Sequence, residues 1–588
     1  MPWQEPNVGV PAVCHRSDNH LPEFHVSAVD DLAARHWEQA LAASPVSATL
    51  FNVHEHDDRL PDVSAEAQAE RRAELRAIAD EAASLAPDDD QEQVVLDALR
   101  TDVDDTIAGL GGPEGDGVPS VLLDANQMTG PHQTWLRLMT QLTYPEPEHA
   151  AMAVERYQQA GTFFDTAADR FAEAVDRGLL PVTRNLQRTI DSIEGYLAGN
   201  LADDPLIAVG GPADWVGEDA WRADLRDAVR DHVRPAFAAF AERLRSEQLL
   251  HGRDDEHAGL AHVDDSGEVY ATFARMHTSL DLDPEEVHRI GLEHVEGQLA
   301  REWSELGART HGEDDPRTLM DVMRADESLR YASAEAMEGH AREALARAKQ
   351  VAPDWFGRLP EADCVVRAVP DYLAESAPPA YYVQPAPDGS RPGTYFLNSH
   401  GGDGMLRTEG EATAFHEAIP GHHFQLAIAG ELEDIPEFMK HSVQTAYAEG
   451  WGLYSERLAE EMGLYSSDLD RLGMLTLDAF RASRLVVDTG LHAFGWTRQR
   501  AIDFMLAHSP LPPRTVHSEI DRYIAMPGQA LAYKIGQREI VRLRREAEAS
   551  LGDAFDLPAF HDVVLGQGML PLPVLEMVVN RWVAREAA

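Results

Sequence analysis

The chain has 588 residues, of which 44% are hydrophobic, enough to bury the core of one or more domains. Its 101 acidic and 50 basic residues give a formal net charge of -51, which disfavours binding to nucleic acids or anionic membranes. Two cysteines and no run of eighteen apolar residues argue against a disulfide framework, a cysteine-based metal site and a membrane span.

The acidic composition and the N-terminal segment both bear on the compartment. The first twenty residues lack the basic and apolar regions of a secretory signal, so we expect a cytoplasmic protein, either a monomer or a homodimer. An excess of acidic groups is typical of proteins in a salt-rich cytoplasm, where screening weakens self-repulsion. We favour a halophilic source over a moderately acidic protein from a GC-rich genome.

The first 360 residues have a mainly helical pattern. Ala-rich amphipathic segments begin at Ser and stop at Pro, and a longer helix near Trp215 contains a kink at Pro235. His54 and its neighbours are interpreted as a polar loop, since nothing nearby in the sequence completes a coordination shell. We expect an N-terminal helical lobe over 1–360 and a catalytic lobe over 361–588, or one continuous domain.

The pattern changes near Cys364, where β-branched and aromatic residues alternate with polar ones. Pro387-Asp388-Gly389 predicts a turn between strands at Tyr381–Val383 and Thr394–Leu397, and therefore a hairpin. An edge strand of such a small sheet can bind an extended peptide through its main chain, although a purely structural sheet fits the same pattern.

The segment AFHEAIPGHHFQ, from Ala414 to Gln425, contains the residue types of a zinc hydrolase. Such an enzyme needs neutral imidazoles on the metal and a carboxylate beside the attacking water. His416, His422 and His423 are the candidate ligands, and Glu417 is the candidate general base. The alternative is a capped helix end with surface histidines, which the apolar flanking residues disfavour.

The spacing departs from H-E-x-x-H, in which two histidines four residues apart share a helix face. The residue four positions after His416 is Pro420, which cannot ligate. On an ideal helix His422 lies on another face, and His423 lies about 10 Å further along the axis. We therefore expect a bulge at Pro420-Gly421 that brings one imidazole back towards His416.

A third metal ligand is expected on the next helix, in AYAEGWGLYSERLAEE. Glu449 and Glu456 are seven residues apart and share a face. We choose Glu449, because Gly450 and Gly452 permit a close helix approach, and we assign Glu456 a structural role.

Two further segments supply candidate substrate-binding residues. Arg484, Asp488 and His492 recur every four residues on one apolar helix, either beside a cleft or with Arg484 and Asp488 as a structural salt bridge. Tyr523, Tyr533 and Lys534 lie around the start of a long final helix. Arg391 is a further candidate for substrate binding, and its positive charge, like that of Lys534, suits a substrate carboxylate.

The chain resembles the bacterial and archaeal family of domain of unknown function 885, from Pro45 to Leu572. The resemblance rests on the motifs HEAIPGHH, AYAEGWGLYSE, VVDTGLHAFGW, PGQALAYKIGQ and FHDVVLGQGMLPL. That family is similar to helical zinc peptidases such as thermostable carboxypeptidase, thimet oligopeptidase and angiotensin-converting enzyme. The resemblance implies a mainly α fold of two helical lobes around a deep cleft, with a small sheet beside the zinc helix.

The same resemblance implies the site. It favours His422 over His423 as the ligand, with one Zn²⁺ bound by His416, His422 (or His423) and Glu449. Glu417 would act as general base in a carboxypeptidase or oligopeptidase acting on short peptides, and Tyr533 and His492 would donate hydrogen bonds to the oxyanion. Two rivals remain open: a metal-dependent amidase or esterase acting on another substrate, and a non-catalytic helical binding protein.

Overall fold

The structure is a computed structural model that describes residues 27–264, 266–369, 378–386, 389, 391–398, 405–442 and 444–588. The N-terminal segment on which the cytoplasmic expectation rests, and the turn residues Pro387 and Asp388, lie outside the described residues. Within the described ranges the fold is mainly helical, with one small three-stranded sheet, as predicted.

The first part of the chain, before the sheet, consists of α-helices with short connections. Their bounds are Ala28–Ala43, Pro45–Leu50, Ala65–Ser84, Asp90–Gly109, Pro131–Gln133, Pro147–Gln158, Ala160–Asp176, Thr183–Ala198, Glu218–Ala228, Arg234–Arg243, Ser266–Thr278, Pro284–Glu293, Ala300–Thr310, Pro316–Ala325 and Ala334–Val351. Pro235, where a kink is expected, lies two residues after a π-helical turn at Val229–Val233, which joins two of these helices.

The sheet consists of β1 (Cys364–Ala368), β2 (Ala380–Val383) and β3 (Gly393–Leu397), in the order β1-β3-β2. β2 and β3 pair antiparallel, with Tyr382 opposite Tyr395, which confirms the predicted hairpin. β1 joins β3 in parallel, so β3 is the central strand and its residues are the best buried.

The helices that follow the sheet carry the candidate site residues, and we name the important ones by those residues. The His416 helix is Gly410–Glu417, the His422 helix is His422–Gly430, the Glu449 helix is Thr445–Glu461, the Arg484 helix is Asp468–His492, the Glu519 helix is Pro513–Ala525 and the Tyr533 helix is Gln529–Leu551. The others are Glu437–His441, Arg498–His508, Leu557–Leu565 and Leu572–Glu586.

The Glu449 helix and the Tyr533 helix cross in close contact through paired glycines. A Cβ atom on Gly450 would collide with the backbone of Gly536, and one on Gly536 would collide with the carbonyl of Ala446. The largest buried apolar cluster includes residues from Val29 to Trp582, so both ends of the described chain contribute to one core. None of the described helices has the length and hydropathy needed to cross a membrane.

Candidate metal centre

The helix that carries His416 stops instead of bulging. It ends at Glu417, the backbone of Ala418 leaves the helical region, and a new helix begins at His422. The expected bulge is therefore a full interruption, with Pro420 and Gly421 in the connection. A Cβ atom at position 421 would overlap the carbonyl oxygen of His416, so the tight return of the chain requires glycine there.

This interruption brings His416 and His422 together with Glu449. Nε2 of His416 lies 3.3 Å, and Nε2 of His422 lies 3.6 Å, from Oε2 of Glu449. The three ligand atoms all lie within 4.8 Å of one another. Ligands of a tetrahedral metal with bonds of about 2.0–2.1 Å are roughly 3.3 Å apart, so the group fits one ion.

The Glu449 helix is attached to the interruption by hydrogen bonds and by a close approach. The indole N–H of Trp451 donates to the carbonyl of Pro420 at 2.9 Å. A Cβ atom on Gly452 would lie 2.5 Å from Cε1 of His416, so the imidazole packs directly against the helix backbone. Gly450 and Gly452 thus permit the close packing expected of them.

Glu456 holds the second nitrogen of His416. Oε1 of Glu456 lies 2.9 Å from Nδ1 of His416, and both side chains are buried. A carboxylate can only accept here, so Nδ1 carries a proton, and Nε2 is the nitrogen that faces Glu449. The structural role assigned to Glu456 from the sequence therefore understates its position, which is directly behind a candidate ligand.

His423 lies outside this group. Its Nδ1 accepts a hydrogen bond from the Tyr382 hydroxyl at 2.8 Å, and its Nε2–H donates to the carbonyl of Ala362 at 3.1 Å. Both nitrogens are thus engaged with the sheet and its approach, and neither has a lone pair for a metal. Burial lowers the pKa of His423 to about 4, which keeps the ring neutral.

The group is electrostatically coupled. Although burial opposes it, the Glu449 and Glu456 carboxylates raise the pKa of His416 to about 9. Burial also opposes ionisation of Glu449, but His416 and His422 hold its pKa well below the usual range. At neutral pH His416 therefore carries a proton on each nitrogen, and a divalent cation would have to displace the proton on Nε2 before the two imidazoles and the ionised carboxylate could hold it.

Two candidate catalytic groups lie beside the cluster. Glu417 follows His416 directly and is half-buried, and within the described ranges no hydrogen bond or ion pair engages its carboxylate. Tyr533 is half-buried and lies close enough to Glu449 for the negative charge of the carboxylate to affect the ionisation of its hydroxyl. Burial first, and Glu449 second, raise the pKa of Tyr533, so the phenol keeps its proton at neutral pH.

His492 does not fit the expected role of an oxyanion donor. Its Nδ1 accepts from the backbone N–H of Leu260 at 3.1 Å, and its Nε2–H donates to the carbonyl of Tyr523 at 3.0 Å. The ring is fully buried, and burial lowers its pKa to about 3. His492 connects helices as a neutral structural group and has no N–H left for a substrate.

Asp488 and Arg484 do not pair with each other. Asp488 accepts hydrogen bonds from the Tyr270 hydroxyl at 2.6 Å and the Gly528 N–H at 3.1 Å, which attach it to the start of the Tyr533 helix. Arg484 instead donates to the Tyr523 hydroxyl at 2.8 Å and pairs with Glu519 at 3.2 Å. The salt bridge between Arg484 and Asp488 that the sequence suggested is therefore not formed, and each residue has its own partners.

The two cations suggested for a substrate carboxylate differ in their surroundings. Lys534 is buried and bonded to Asp478 and Gln537, so its charge is already neutralised inside the core. Arg391 is exposed and lies just before β3. Tyr523 donates its hydroxyl proton to Glu519 at 2.7 Å and is fully buried.

Two other groups of potential ligands occur in the described residues, and in each of them an arginine already pairs with a carboxylate. His54, Asp57 and His149 form one, so the loop interpretation missed His149, but Arg156 lies 3.5 Å from Asp57 in a fully buried pair. The rings of His54 and His149 are stacked 4.3 Å apart, so their in-plane lone pairs do not converge. In the other, which comprises His340, Glu411 and Asp470, a guanidinium bonds Glu411.

Two relationships could not be obtained from local spacing. The sequence places Glu456 on the same face as Glu449, seven residues on, but its contact with Nδ1 of His416 comes from tertiary packing. Arg522 and Glu519 lie one helical turn apart but join Arg484 only through tertiary packing, so no local spacing indicated them.

Comparisons with known proteins identify a matching family and solved structures of similar fold. The family described as bacterial protein of unknown function, DUF885, matches residues 45–579. No curated protein matches. The crystal structure of a putative lipoprotein from Colwellia psychrerythraea is similar with a TM-score of 0.86 and 27% identity, over 95% of this chain and 99% of that one. A second such protein, of unknown function and from Shewanella oneidensis, has a TM-score of 0.70 and 17% identity, over 94% and 100%. The match across most of its length shows that the chain belongs to the DUF885 family.

Proposed function

We propose that the protein is a zinc-dependent peptidase acting on short peptides. The observation that carries the proposal is the convergence of His416, His422 and Glu449, whose ligand atoms lie within 4.8 Å of one another. Two histidines and one glutamate leave the fourth position of a tetrahedral ion open, which is the ligand set of catalytic rather than structural zinc sites.

The surroundings of this group also favour a metal. No Lys or Arg pairs with Glu449 among the described residues, in contrast to the other two groups of potential ligands. The Glu456–His416 hydrogen bond is the outer-shell contact that orients a metal-bound imidazole. Zinc bound here would supply Lewis acidity that favours loss of a proton from water.

The protein groups around the ligands suit amide hydrolysis. Glu417 would accept a proton of the attacking water as the water oxygen bonds to the carbonyl carbon. The same carboxyl group then delivers that proton to the amine nitrogen as the C–N bond breaks. The protonated hydroxyl of Tyr533, on the side of Glu449, would donate a hydrogen bond to the oxyanion.

The test combines metal analysis with a peptide library. Purified protein incubated with zinc and then desalted should retain about one equivalent and cleave peptides in a mass-spectrometric digest. Glu417→Gln should retain the metal and lose turnover by roughly a thousandfold or more, because only the proton acceptor has changed. Normal peptide hydrolysis by Glu417→Gln would refute the mechanism. Turnover of small amides or esters without any peptide cleavage would refute the substrate class.

A further inference from the structure

A pair of arginines beside Tyr533 shares a single carboxylate. Arg484 pairs with Glu519 at 3.2 Å, and Arg522 pairs with the same Glu519 oxygen at 2.9 Å. The third neighbour, Tyr523, also donates its hydroxyl proton to Glu519. Two guanidinium groups are therefore matched by one glutamate, which is unusual in a chain whose formal net charge is -51.

Other acidic groups do not complete the balance. Asp488 lies near Arg522 without bonding it: its Oδ1 accepts from Tyr270 and Gly528, its Oδ2 has no hydrogen-bond partner among the described residues, and burial raises its pKa to about 7. The remaining partner of Arg522 is the neutral amide of Gln529, at 2.5 Å. Nη1 of Arg484 is buried and has no hydrogen-bond partner in the described part of the chain. Among the described residues, Glu519 is therefore the single carboxylate that bonds the two guanidinium groups.

The arginine pair lies next to the candidate metal centre. The guanidinium of Arg484 stacks over the ring of Tyr533 at 4.2 Å, and Tyr533 lies beside Glu449. One turn earlier on the Arg484 helix, Arg481 lies 3.6 Å from Glu456, which holds His416. Three residues of a helix span about 4.5 Å along its axis, so Arg484 lies less than one turn beyond Arg481, which contacts the residue that holds His416.

Part of the group can be reached from outside. The side chains of Arg522 and Glu519 are 16% and 22% exposed, and Tyr533 is half-buried, whereas Arg484 is 6% exposed and fixed by its partners. The planar fork of a guanidinium matches a carboxylate better than an ammonium does, and a fixed fork loses less freedom on binding.

We infer that Arg484 and Arg522 form a subsite for the free C-terminal carboxylate of the substrate, which makes the enzyme a carboxypeptidase. The inference rests on the proposed peptidase function and deepens it by naming the substrate class. The carboxylate supplies the missing negative charge, and the arginine pair places the last peptide bond beside the cluster of His416, His422 and Glu449. A net charge of -51 repels anionic peptides at long range, so a local cationic subsite is needed to retain them.

The experiment uses the zinc-loaded full chain and two forms of one N-acylated peptide. One form has a free C-terminal carboxylate (the acid), and the other has a C-terminal amide. The wild-type protein should cleave the free acid at least tenfold more efficiently. Arg522→Gln should raise KM for the acid roughly ten- to hundredfold, the loss expected for one charged hydrogen-bonded contact, and leave zinc content unchanged. Arg522→Lys should recover part of that loss.

The control variant is Arg514→Gln, an exposed arginine on the same Glu519 helix, which should behave as the wild type. Binding is measured separately by calorimetry on Glu417→Gln, where the acid should bind at least tenfold more tightly than the amide. Equal cleavage and equal binding of both peptides would overturn the subsite and leave the peptidase proposal standing. Preferential binding of the acid without turnover of either peptide by the wild-type protein would support the subsite and refute the peptidase.

Discussion

Nδ1 of His416 lies 2.9 Å from Oε1 of Glu456, in a contact where both side chains are almost completely buried. The carboxylate fixes the proton on Nδ1 and leaves Nε2 of His416 pointing towards Glu449. Arg481 forms an ion pair, at 3.6 Å, with the same oxygen of Glu456. The orientation of a candidate metal ligand thus depends on a residue that touches neither metal nor substrate.

Glu456→Gln should weaken zinc binding by about ten- to hundredfold, because an amide is a poorer acceptor and does not enforce the tautomer of His416. The affinity is measured by competition with a coloured chelator. The control is Glu461→Gln on the same helix, whose exposed ion pair with Arg544 contributes little. Equal zinc affinity in the two variants would show that Glu456 does not position the ligand.

Gly452→Ala should lower zinc occupancy and activity together, because the added methyl group would lie 2.5 Å from the His416 ring. The imidazole has to move by a few tenths of an ångström or more, which lengthens its contact with the ion. Gly430→Ala, at the end of the His422 helix, meets no atom within 4 Å and provides the control. Zinc per chain and kcat/KM should fall in Gly452→Ala only; unchanged values in both variants would contradict the packing described.

His492 predicts a pH dependence of stability. Its folded-state pKa of about 3 lies below the unfolded value near 6.5, so between these pH values the unfolded chain binds a proton and the folded chain does not. Its contribution to the free energy of unfolding is fully present above pH 6.5 and is lost as pH falls towards 3, with a slope of at most about 1.4 kcal/mol per pH unit.

His492→Gln should therefore unfold with a flatter pH dependence than the wild type between pH 4 and 7, measured by urea denaturation. The variant should be less stable at pH 7 by about 1–3 kcal/mol, since the Leu260 N–H and the Tyr523 carbonyl lose well-placed partners. Parallel curves for the two proteins would contradict the neutral, buried state of His492.

The sequence allowed the main elements of the site to be predicted because their chemistry is local. His416 and Glu417 are adjacent, the Pro420-Gly421 pair indicates a break, and Gly450 and Gly452 mark a helix that can approach closely. Glu449 is therefore predicted to join the histidines, and the structure brings it to His416 and His422. Distinguishing His422 from His423 required the positions of Tyr382 and Ala362, which only tertiary structure supplies.

The assignments of Asp488 and His492 fail for one physical reason. Both residues lie on a helix that is buried on nearly all sides, so each polar group must find a partner wherever a neighbouring helix offers one. Spacing of four residues shows that they share a face, but the burial of that face hides whether the partner is a substrate or the protein. Lys534 was misjudged for the same reason, since its buried partner Asp478 is distant in sequence.

The pair of adjacent histidines provides the most direct test of the metal centre. His422→Ala and His423→Ala change neighbouring residues, and each is compared with the wild type by zinc content per chain after incubation and desalting, with circular dichroism to confirm folding. We expect about one zinc in the wild type and in His423→Ala, and less than roughly a tenth of an equivalent in His422→Ala. Full zinc occupancy in folded His422→Ala would contradict the assignment of His422 as a ligand.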